Sequence, residues 1–181
     1  MYNIYNININ DISNEIKDIV VFNQNVFYDN RGSLSIQFEG LVSKNEIKYI
    51  SLKESISEKM TARGLHHQVE PYGQTKIIFV ERGEILDFFF NTNDKSKKIY
   101  CVRINSAMNK SILIPKNYAH GFIALKKTKF RYLCLGKYSE KHENTYNFFP
   151  NIAKKMNLKN LKLSDKDSSC PLLEIQKIYN I

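Results

Sequence analysis

The sequence predicts an all-β sandwich or barrel built as one domain. Short apolar or alternating segments of strand length recur at regular spacing between residues 18 and 135. Turn-forming residues separate these segments, among them Asp29-Asn30-Arg31-Gly32 and the pair Arg82-Gly83. No long helical periodicity interrupts the series before residue 151, and 181 residues are enough to bury a substantial core.

The predicted strands can be placed in chain order. Residues 1–9 alternate only in part and predict an edge strand. Two short helices are predicted near the end of the sequence, one within 151–158 and one after Ser164, because Ser before acidic residues is a typical N-cap. We therefore expect a single domain over 1–181 with its core at about 19–150. The remaining predicted strands cover 18–22, 32–38, 47–52, 59–68, 75–81, 83–90, 99–104, 111–115, 120–125 and 130–135.

Composition narrows the classes of ligand and partner that the protein is expected to bind. The net charge is +9, but the basic residues are scattered, and no zinc-finger or other nucleic-acid-binding pattern accompanies them. A small phosphorylated ligand is therefore a better partner than nucleic acid. No signal peptide and no membrane-spanning apolar run is visible, so no membrane association is expected. The three cysteines are far apart and odd in number, which is typical of free thiols in the cytoplasm.

The segment Arg63-Gly64-Leu65-His66-His67-Gln68 carries the clearest chemical signal. It holds two of the four histidines, beside an arginine and close to Lys76. Histidine moves protons near neutral pH, so this segment favours proton transfer. The structural alternative is one packed histidine and one facing water. Metal binding is a further alternative, with Glu70 and His120 completing the ligands, but adjacent residues of a strand face opposite ways. We predict no metal and no other cofactor.

Aromatic side chains supply a second candidate group. Phe130, Tyr132, Cys134, Gly136 and Tyr138 share one face of a strand by its period of two. This spacing places one or two phenols inside the barrel, although each could equally be a core residue with its hydroxyl at the rim. A barrel interior that holds His, Tyr, Lys and Arg is costly unless these groups act on an anionic ligand.

Several motifs together resemble the dTDP-4-dehydrorhamnose 3,5-epimerase family. The resemblance runs from about residue 19 to residue 170, with the motifs in family order. It implies a cupin-like jelly roll, usually a homodimer, that epimerises a nucleotide-linked 4-keto-6-deoxy sugar beside the ketone without a metal. The motifs are Phe27-Tyr-Asp29-Asn-Arg31-Gly32, Arg63-Gly-Leu-His66, Lys76, Gly83-Glu84, Ile114-Pro115 followed by Ala119-His120-Gly121-Phe122, and then Tyr132 and Tyr138.

The resemblance also implies roles for single residues. His66 matches the general base, Asp167 matches its partner, and Tyr132 matches the phenol that returns a proton from the opposite face. Asp167 belongs to the segment 151–181, which is expected to close the site. The other matches are expected to bind substrate or to support the site: Arg31 and Arg63 near phosphate, Lys76 near the ketone oxygen, His120 as a buried supporting residue, and Tyr138 as a second phenol.

Departures from the family pattern leave the substrate open. Residues 51–57 and 146–150 differ from the family segments at those places, and Asn91 and His67 replace other residue types. The nucleotide could be dTDP or GDP, the sugar a hexose or a heptose, and inversion could occur at C3 alone or at C3 and C5. Epimerisation would serve a surface polysaccharide such as capsule or lipopolysaccharide. The alternatives are a nucleotide-sugar 3,4-ketoisomerase on the same fold, a non-catalytic sugar-binding cupin and a metal-dependent cupin oxygenase.

Overall fold

The computed structural model describes residues 1–39 and 49–179. Three short helices lie among the described strands: α1 (Ile12–Glu15), α2 (Phe149–Lys155) and α3 (Asp165–Ser169). The strands are β1 (Tyr2–Asn6), β2 (Val20–Asn23), β3 (Asn25–Asp29), β4 (Gly32–Ile36), β5 (Ile50–Ser57), β6 (Ala62–Gln68), β7 (Thr75–Arg82), β8 (Glu84–Asn91), β9 (Lys98–Asn105), β10 (Lys110–Ile114), β11 (Tyr118–Ala124), β12 (Thr128–Leu135), β13 (Glu143–Thr145) and β14 (Ile175–Tyr179).

Two facing sheets confirm the predicted all-β sandwich. Over the described residues, seven strands pair in the order β13-β6-β11-β8-β9-β1-β14 and five in the order β2-β10-β7-β12-β5. The strands β3 and β4 form a separate hairpin through the Asp29–Gly32 turn. Gly83, with φ +94°, lies between β7 and β8, so the Arg82-Gly83 turn carries the chain from one sheet to the other.

The ends of the described chain depart from the predictions. β1 is not an edge strand, because it pairs in parallel with β9 on one side and with β14 on the other. Neither β14 nor α1 is predicted, and the strand predicted at 47–52 lies partly outside the described residues. Both helices predicted near the end of the sequence are present as α2 and α3. Ser164 is the N-cap of α3, since its Oγ accepts a hydrogen bond from the Asp167 N–H.

Apolar residues cover both faces of the seven-stranded sheet. In β8, Ile85 and Phe89 point into the space between the two sheets, while Leu86, Phe88 and Phe90 point to the opposite face. The inner face meets apolar residues of β7, β10 and β12. The opposite face is covered by α2 and by the chain around it, with Phe148, Phe149 and Ile152 fully buried. This burial is the main stabilising contribution to the sandwich.

The core reaches beyond the predicted range of 19–150, because Ile4 and Ile175 are both buried in it. Asp87 lies between Ile85 and Phe89 on the strand and shares their inward direction, so the sandwich interior contains a carboxylate. Among the described helices, none has both the length and the apolar character that crossing a membrane requires.

Candidate active site

A cavity of about 210 Å³ lies between the two sheets. The seven-stranded sheet contributes residues of β6 and β11, and the five-stranded sheet contributes residues of β5, β7 and β12. The segment at α3 closes part of the cavity. The lining residues are Ser55, Arg63, His66, Lys76, His120, Gly121, Phe122, Phe130, Tyr132, Ser164 and Asp167. Six of the eight predicted site residues are therefore brought together in one place.

An irregularity in β6 places Arg63 and His66 on the same wall. In the pairing with β11, His66 lies opposite His120 and Arg63 lies opposite Phe122, so one strand advances three residues while the other advances two. Such a β-bulge turns residues i and i+3 towards the same face. Gly64, with φ +97°, and Gly121 let the two backbones approach closely, because a Cβ at Gly121 would lie 2.4 Å from the Arg63 carbonyl oxygen.

His66 forms a hydrogen-bonded pair with Asp167. The distance from His66 Nε2 to Asp167 Oδ1 is 2.7 Å, and the Asp167 side chain is only 4% exposed. The Gly64 N–H also points at Asp167 Oδ2, at 3.4 Å. Burial disfavours the Asp167 carboxylate, but its hydrogen bond and charge interaction with His66 hold its pKa below the ordinary value. An ionised Asp167 accepts the Nε2 proton, so the lone pair of the neutral imidazole lies on Nδ1.

A second pair of the same kind lies deeper in the sandwich. His120 Nε2 is 2.7 Å from Asp87 Oδ1, and both side chains are buried. Burial raises the pKa of Asp87, although the charges of His120 and Lys76 oppose this effect. The His120 ring stacks on Phe130, with 6.1 Å between the ring centroids. Asp87 and the Phe130 ring therefore hold the His120 side chain between them, which fits the supporting role predicted for His120.

Two cations face the cavity between these histidines. Lys76 Nζ donates to the His66 carbonyl oxygen at 3.4 Å, and burial lowers the pKa of the Lys76 ammonium. Arg63 Nε donates to Ser57 Oγ at 3.0 Å. Within the described part of the chain, neither cation forms an ion pair with a carboxylate, whereas the partly exposed Arg131 contacts both Glu54 and Glu81. The cavity therefore carries positive charge that an anionic ligand would balance.

Tyr132 faces the cavity from the opposite sheet. Burial raises the pKa of its phenol, and the positive charge of Arg63 partly offsets this effect. The ring packs against Phe130, with 5.6 Å between the centroids. His66 and Tyr132 thus belong to different walls of the same cavity, and a ring bound between them would present opposite faces to the two groups.

Two predicted residues are not among those lining the cavity. Arg31 lies on the β3–β4 hairpin, where its exposed guanidinium pairs with Asp29 at 2.6 Å. Tyr138 lies beyond the end of β12 and is 42% exposed. His67 faces away from His66, as the strand alternation predicts, and its Nε2 lies 3.1 Å from the Lys116 carbonyl oxygen. Substrate binding by Arg31 and Tyr138 stays a prediction.

The sequence alone does not identify Asp87 or Ser55 as residues of this site. Asp87 could have been identified because it is a carboxylate within the apolar run of β8. A buried charge without a partner is costly, so its position predicts a partner in the interior. Glu70, considered above as a metal ligand, instead pairs with Lys116 at 2.6 Å. Within residues 1–39 and 49–179, no three His, Cys, Asp or Glu side chains come together as a metal site requires. The absence of a metal stays a prediction.

Comparison with known proteins yields one family. The sequence profile of dTDP-4-dehydrorhamnose 3,5-epimerase matches residues 13–174. The Salmonella typhimurium dTDP-4-dehydrorhamnose 3,5-epimerase is 32% identical over 174 residues, covering 90% of this chain and 94% of the relative. The Shigella flexneri enzyme of the same name is 31% identical over 142 residues, covering 74% of this chain and 78% of the relative.

Solved structures agree with the sequence relatives. The Sulfolobus tokodaii dTDP-4-dehydrorhamnose 3,5-epimerase superposes with a TM-score of 0.71 at 30% identity, covering 85% of this chain and 89% of that chain. The Bacillus anthracis enzyme, with TDP and PPi bound, superposes with a TM-score of 0.72 at 28% identity, covering 86% and 94%. The sandwich described above is therefore the cupin-like fold that the resemblance implied.

Proposed function

Because the chain belongs to the dTDP-4-dehydrorhamnose 3,5-epimerase family, and is therefore an epimerase of the isomerase class, we propose that it inverts C3 and C5 of a dTDP-linked 4-keto-6-deoxy sugar. The observation that carries this proposal is the placement of His66, with Asp167 behind it, on one wall of the cavity and Tyr132 on the other. A GDP-linked sugar or a heptose stays an alternative substrate for the same chemistry.

His66 is the base in this proposal. The C4 ketone acidifies the hydrogens on C3 and C5, because their removal leaves an enolate. Nδ1 of the neutral imidazole takes the proton, and the imidazolium formed is stabilised by the Asp167 carboxylate 2.7 Å from Nε2. A buried carboxylate whose pKa is lowered remains ionised near neutral pH, which is the state that this role requires.

Lys76 and Arg63 supply the positive charge. An enolate places negative charge on the C4 oxygen, and fixed cations that stabilise developing charge usually give a large catalytic contribution. Lys76 Nζ contacts the backbone carbonyl oxygen of His66, and both side chains line the same cavity. Arg63 is directed into the cavity by the bulge in β6, and we assign it to the diphosphate. The Bacillus anthracis relative with TDP and PPi bound supports such a ligand.

Tyr132 is the acid. Inversion requires that a proton returns to the carbon from the face opposite to the base. A phenol whose pKa is raised by burial remains protonated at neutral pH and can donate to an enolate carbon. The position of Tyr132 on the facing sheet supports this role. Return of the proton from His66 instead would give exchange with solvent without inversion.

We further propose a metal-free enzyme of the cytoplasm that serves surface polysaccharide synthesis. His66 and His120 each direct Nε2 at a carboxylate, and this arrangement supports proton transfer more than shared metal ligation. The three cysteines are free thiols, which suits a reducing compartment. The polysaccharide role follows from the family name alone, since rhamnose is a sugar of such polymers.

A homodimer is also part of the proposal. The β3–β4 hairpin exposes Phe27, Tyr28 and Leu34 at 56%, 77% and 66%, and the outer face of β5 exposes Leu52 and Ile56 at 64% and 60%. Exposed apolar patches of this kind are typical of protein–protein contacts. Sedimentation equilibrium tests it: a monomer at micromolar concentration would contradict the dimer. Arg31 lies on this hairpin and is not among the residues that line the cavity of its own chain. A dimer formed through the hairpin would bring Arg31 towards the substrate bound in the other subunit.

Incubation with the substrate in D₂O tests the activity. The purified chain is mixed with a dTDP-linked 4-keto-6-deoxyhexose, and ¹H NMR follows deuterium at C3 and C5 together with ring configuration. We expect deuterium at both carbons and inverted product. Deuterium at C3 only would restrict the enzyme to that carbon, and movement of the ketone to C3 would identify a 3,4-ketoisomerase. No exchange with dTDP-linked or GDP-linked sugars would contradict an epimerase acting on this substrate class.

A further inference from the structure

Glu143 is a largely buried carboxylate that the mechanism above does not use. It begins β13, where it lies opposite Gln68 of β6, while Thr145 lies opposite His66. Residues opposite each other in a sheet share a face, and Gln68 shares the face of His66 because the two are two positions apart. The Glu143 side chain, which is 9% exposed, therefore points to the same side of the sheet as the proposed base.

The electrostatics of the cavity agree with this direction. Burial is the main reason that the pKa of the Tyr132 phenol is raised, and the negative charge of Glu143 contributes in the same direction. Burial lowers the pKa of the Lys76 ammonium, and Glu143 is among the groups that oppose this effect. Two residues that line the cavity thus lie within range of the charge of Glu143.

Glu143 forms an ion pair with Lys166 of α3. The Lys166 ammonium donates to Glu143 Oε2, and this hydrogen bond is the main reason that the pKa of Lys166 is raised. Lys166 immediately precedes Asp167, which pairs with His66. Two neighbouring residues of α3 are therefore attached to two neighbouring strands, Lys166 to β13 and Asp167 to β6.

The position of α3 depends on polar contacts of this kind. Of the five described residues of this helix, Asp165–Ser169, none is apolar and only Asp167 is buried. Leu163, before the helix begins, packs against the core. Within the helix, Asp167 adds hydrogen bonds with Gly64 and Asn147. Because α3 brings no apolar side chain of its own to the core, a charged contact beside Asp167 can determine how closely the helix approaches β6.

We propose that Glu143 is a positioning residue that acts through Lys166 to hold the Asp167 carboxylate against His66. This inference rests on the proposed function, because the position of Asp167 affects the reaction only if His66 is the base. With the ion pair intact, α3 is held at two adjacent residues, and the 2.7 Å contact between Asp167 and His66 persists. Without the ion pair, one of these attachments is lost, and the carboxylate contacts the imidazole for less of the time.

Proton NMR of the full chain without substrate tests the effect on the His66–Asp167 contact. A histidine N–H that donates to a carboxylate gives a signal far downfield, and its exchange with water reports how often the hydrogen bond opens. We expect Glu143→Gln to raise this exchange rate for His66 Nε2–H by about threefold to tenfold, the size expected for losing a partly exposed ion pair. His66→Asn assigns the signal. The Nε2–H of His120, which pairs with buried Asp87, is the internal control and should exchange as in wild type.

Glu140→Gln is the matched control variant. Glu140 is an exposed residue three positions before Glu143, and the substitution makes the same charge change. It should leave the exchange of both histidine protons at the wild-type rate. Unchanged exchange of the His66 proton in Glu143→Gln would overturn the proposal. A wild type that shows the His120 signal but no His66 signal would also overturn it, because the contact would then not persist.

The D₂O assay at saturating substrate separates positioning from a general loss of structure. Glu143→Gln should lower the rate of deuterium exchange by about threefold to tenfold with KM unchanged. In an Asp167→Asn background it should have no further effect, because it acts through that carboxylate. Lys166→Met should behave as Glu143→Gln does, and Lys166→Arg should recover most of the rate. Losses that multiply in the double variant would overturn the proposal. A raised KM in Lys166→Met would do so too, since it would assign Lys166 to the ligand.

The two measurements distinguish failure of this inference from failure of the proposed function. Thermal unfolding reports whether each variant is folded, and if Glu143→Gln is not, Lys166→Met compared with Lys166→Arg decides instead. A His66 proton whose exchange depends on Glu143, in a protein that exchanges no deuterium into the substrate, would retain the positioning role and refute the epimerase. Deuterium exchange into the substrate without that dependence would do the reverse.

Discussion

Replacing Asp167 by Asn removes the negative charge behind His66 and converts one of the two side-chain acceptor atoms into a donor. Two groups anchor the backbone of Asp167: Ser164 Oγ accepts from its N–H at 3.1 Å, and Asn147 Nδ2 donates to its carbonyl oxygen at 2.8 Å. An amide has the same shape as the carboxylate, so α3 keeps its place. What changes is the stabilisation of the imidazolium that forms when His66 takes a proton.

The expected loss can be estimated from the geometry. Two unit charges about 4 Å apart attract by about 4 kcal/mol at an effective dielectric constant of about 20. Solvent reaches His66, whose side chain is 31% exposed. We therefore expect about half of that energy, about 2 kcal/mol, to be lost from the transition state, which is about a thirtyfold slower reaction. His66→Asn removes the base itself and should cost more, on the order of a hundredfold to ten-thousandfold.

Deuterium wash-in at C3 and C5, followed by NMR at saturating substrate, measures these losses. Asp165→Asn is the control, because Asp165 is an exposed residue of the same helix and makes the same charge change. It should exchange at the wild-type rate. An Asp167→Asn protein that exchanges within threefold of wild type would show that the carboxylate does not assist the base. A near-normal rate in His66→Asn would remove His66 from the mechanism.

Three further predictions test other parts of the structure. Tyr132→Phe should keep solvent exchange but lose most inverted product, while Tyr138→Phe should form product normally; the reverse result, read by NMR, would make Tyr138 the acid. Gly121→Ala should lose about 2–4 kcal/mol of unfolding free energy in urea, because its Cβ would lie 2.4 Å from the Arg63 carbonyl oxygen; a change below about 0.5 kcal/mol would contradict the close packing. The folded-state pKa of Asp167 is lowered from 3.8, so its carboxylate contributes stability that is present above this value and is lost as pH falls through the folded-state value. Asp167→Asn should therefore unfold at lower urea than wild type at pH 7, with the difference shrinking below about pH 4; a constant difference would assign the loss to packing.

The strands could be predicted because alternation is a local property. β12 shows such alternation in a few consecutive residues, whereas β8 and β11 are short, fully buried apolar runs bounded by turn residues. Pairing between strands is not local. The five residues of β14 include only one buried side chain, Ile175, so nothing in that segment marks a strand that pairs with β1. The interior position of β1 could not be predicted for the same reason.

The site was predictable in its residue types but not in its arrangement. Strict alternation would place Arg63 and His66 on opposite faces of β6, and only the pairing with β11 shows the extra residue that turns both towards the cavity. Asp87 and His120 lie 33 residues apart, and their contact depends on the pairing of β8 with β11. Lys53 belongs to residues 51–57, which the sequence shows only as a departure from the family pattern, and its place opposite Tyr132 depends on the pairing of β5 with β12.

The His66–Asp167 pair joins residues 101 positions apart, and this separation has a consequence for synthesis. A ribosome delivers the base, the phenol and the cations of the cavity well before it delivers Asp167. A nascent chain can therefore bury most of its sandwich while His66 still lacks its carboxylate. Full activity should appear late, when α3 emerges and docks over the cavity. Nascent chains can be arrested and released at a length that ends before α3 and at a length that includes it. The rate of deuterium exchange into the substrate should rise sharply between these two lengths.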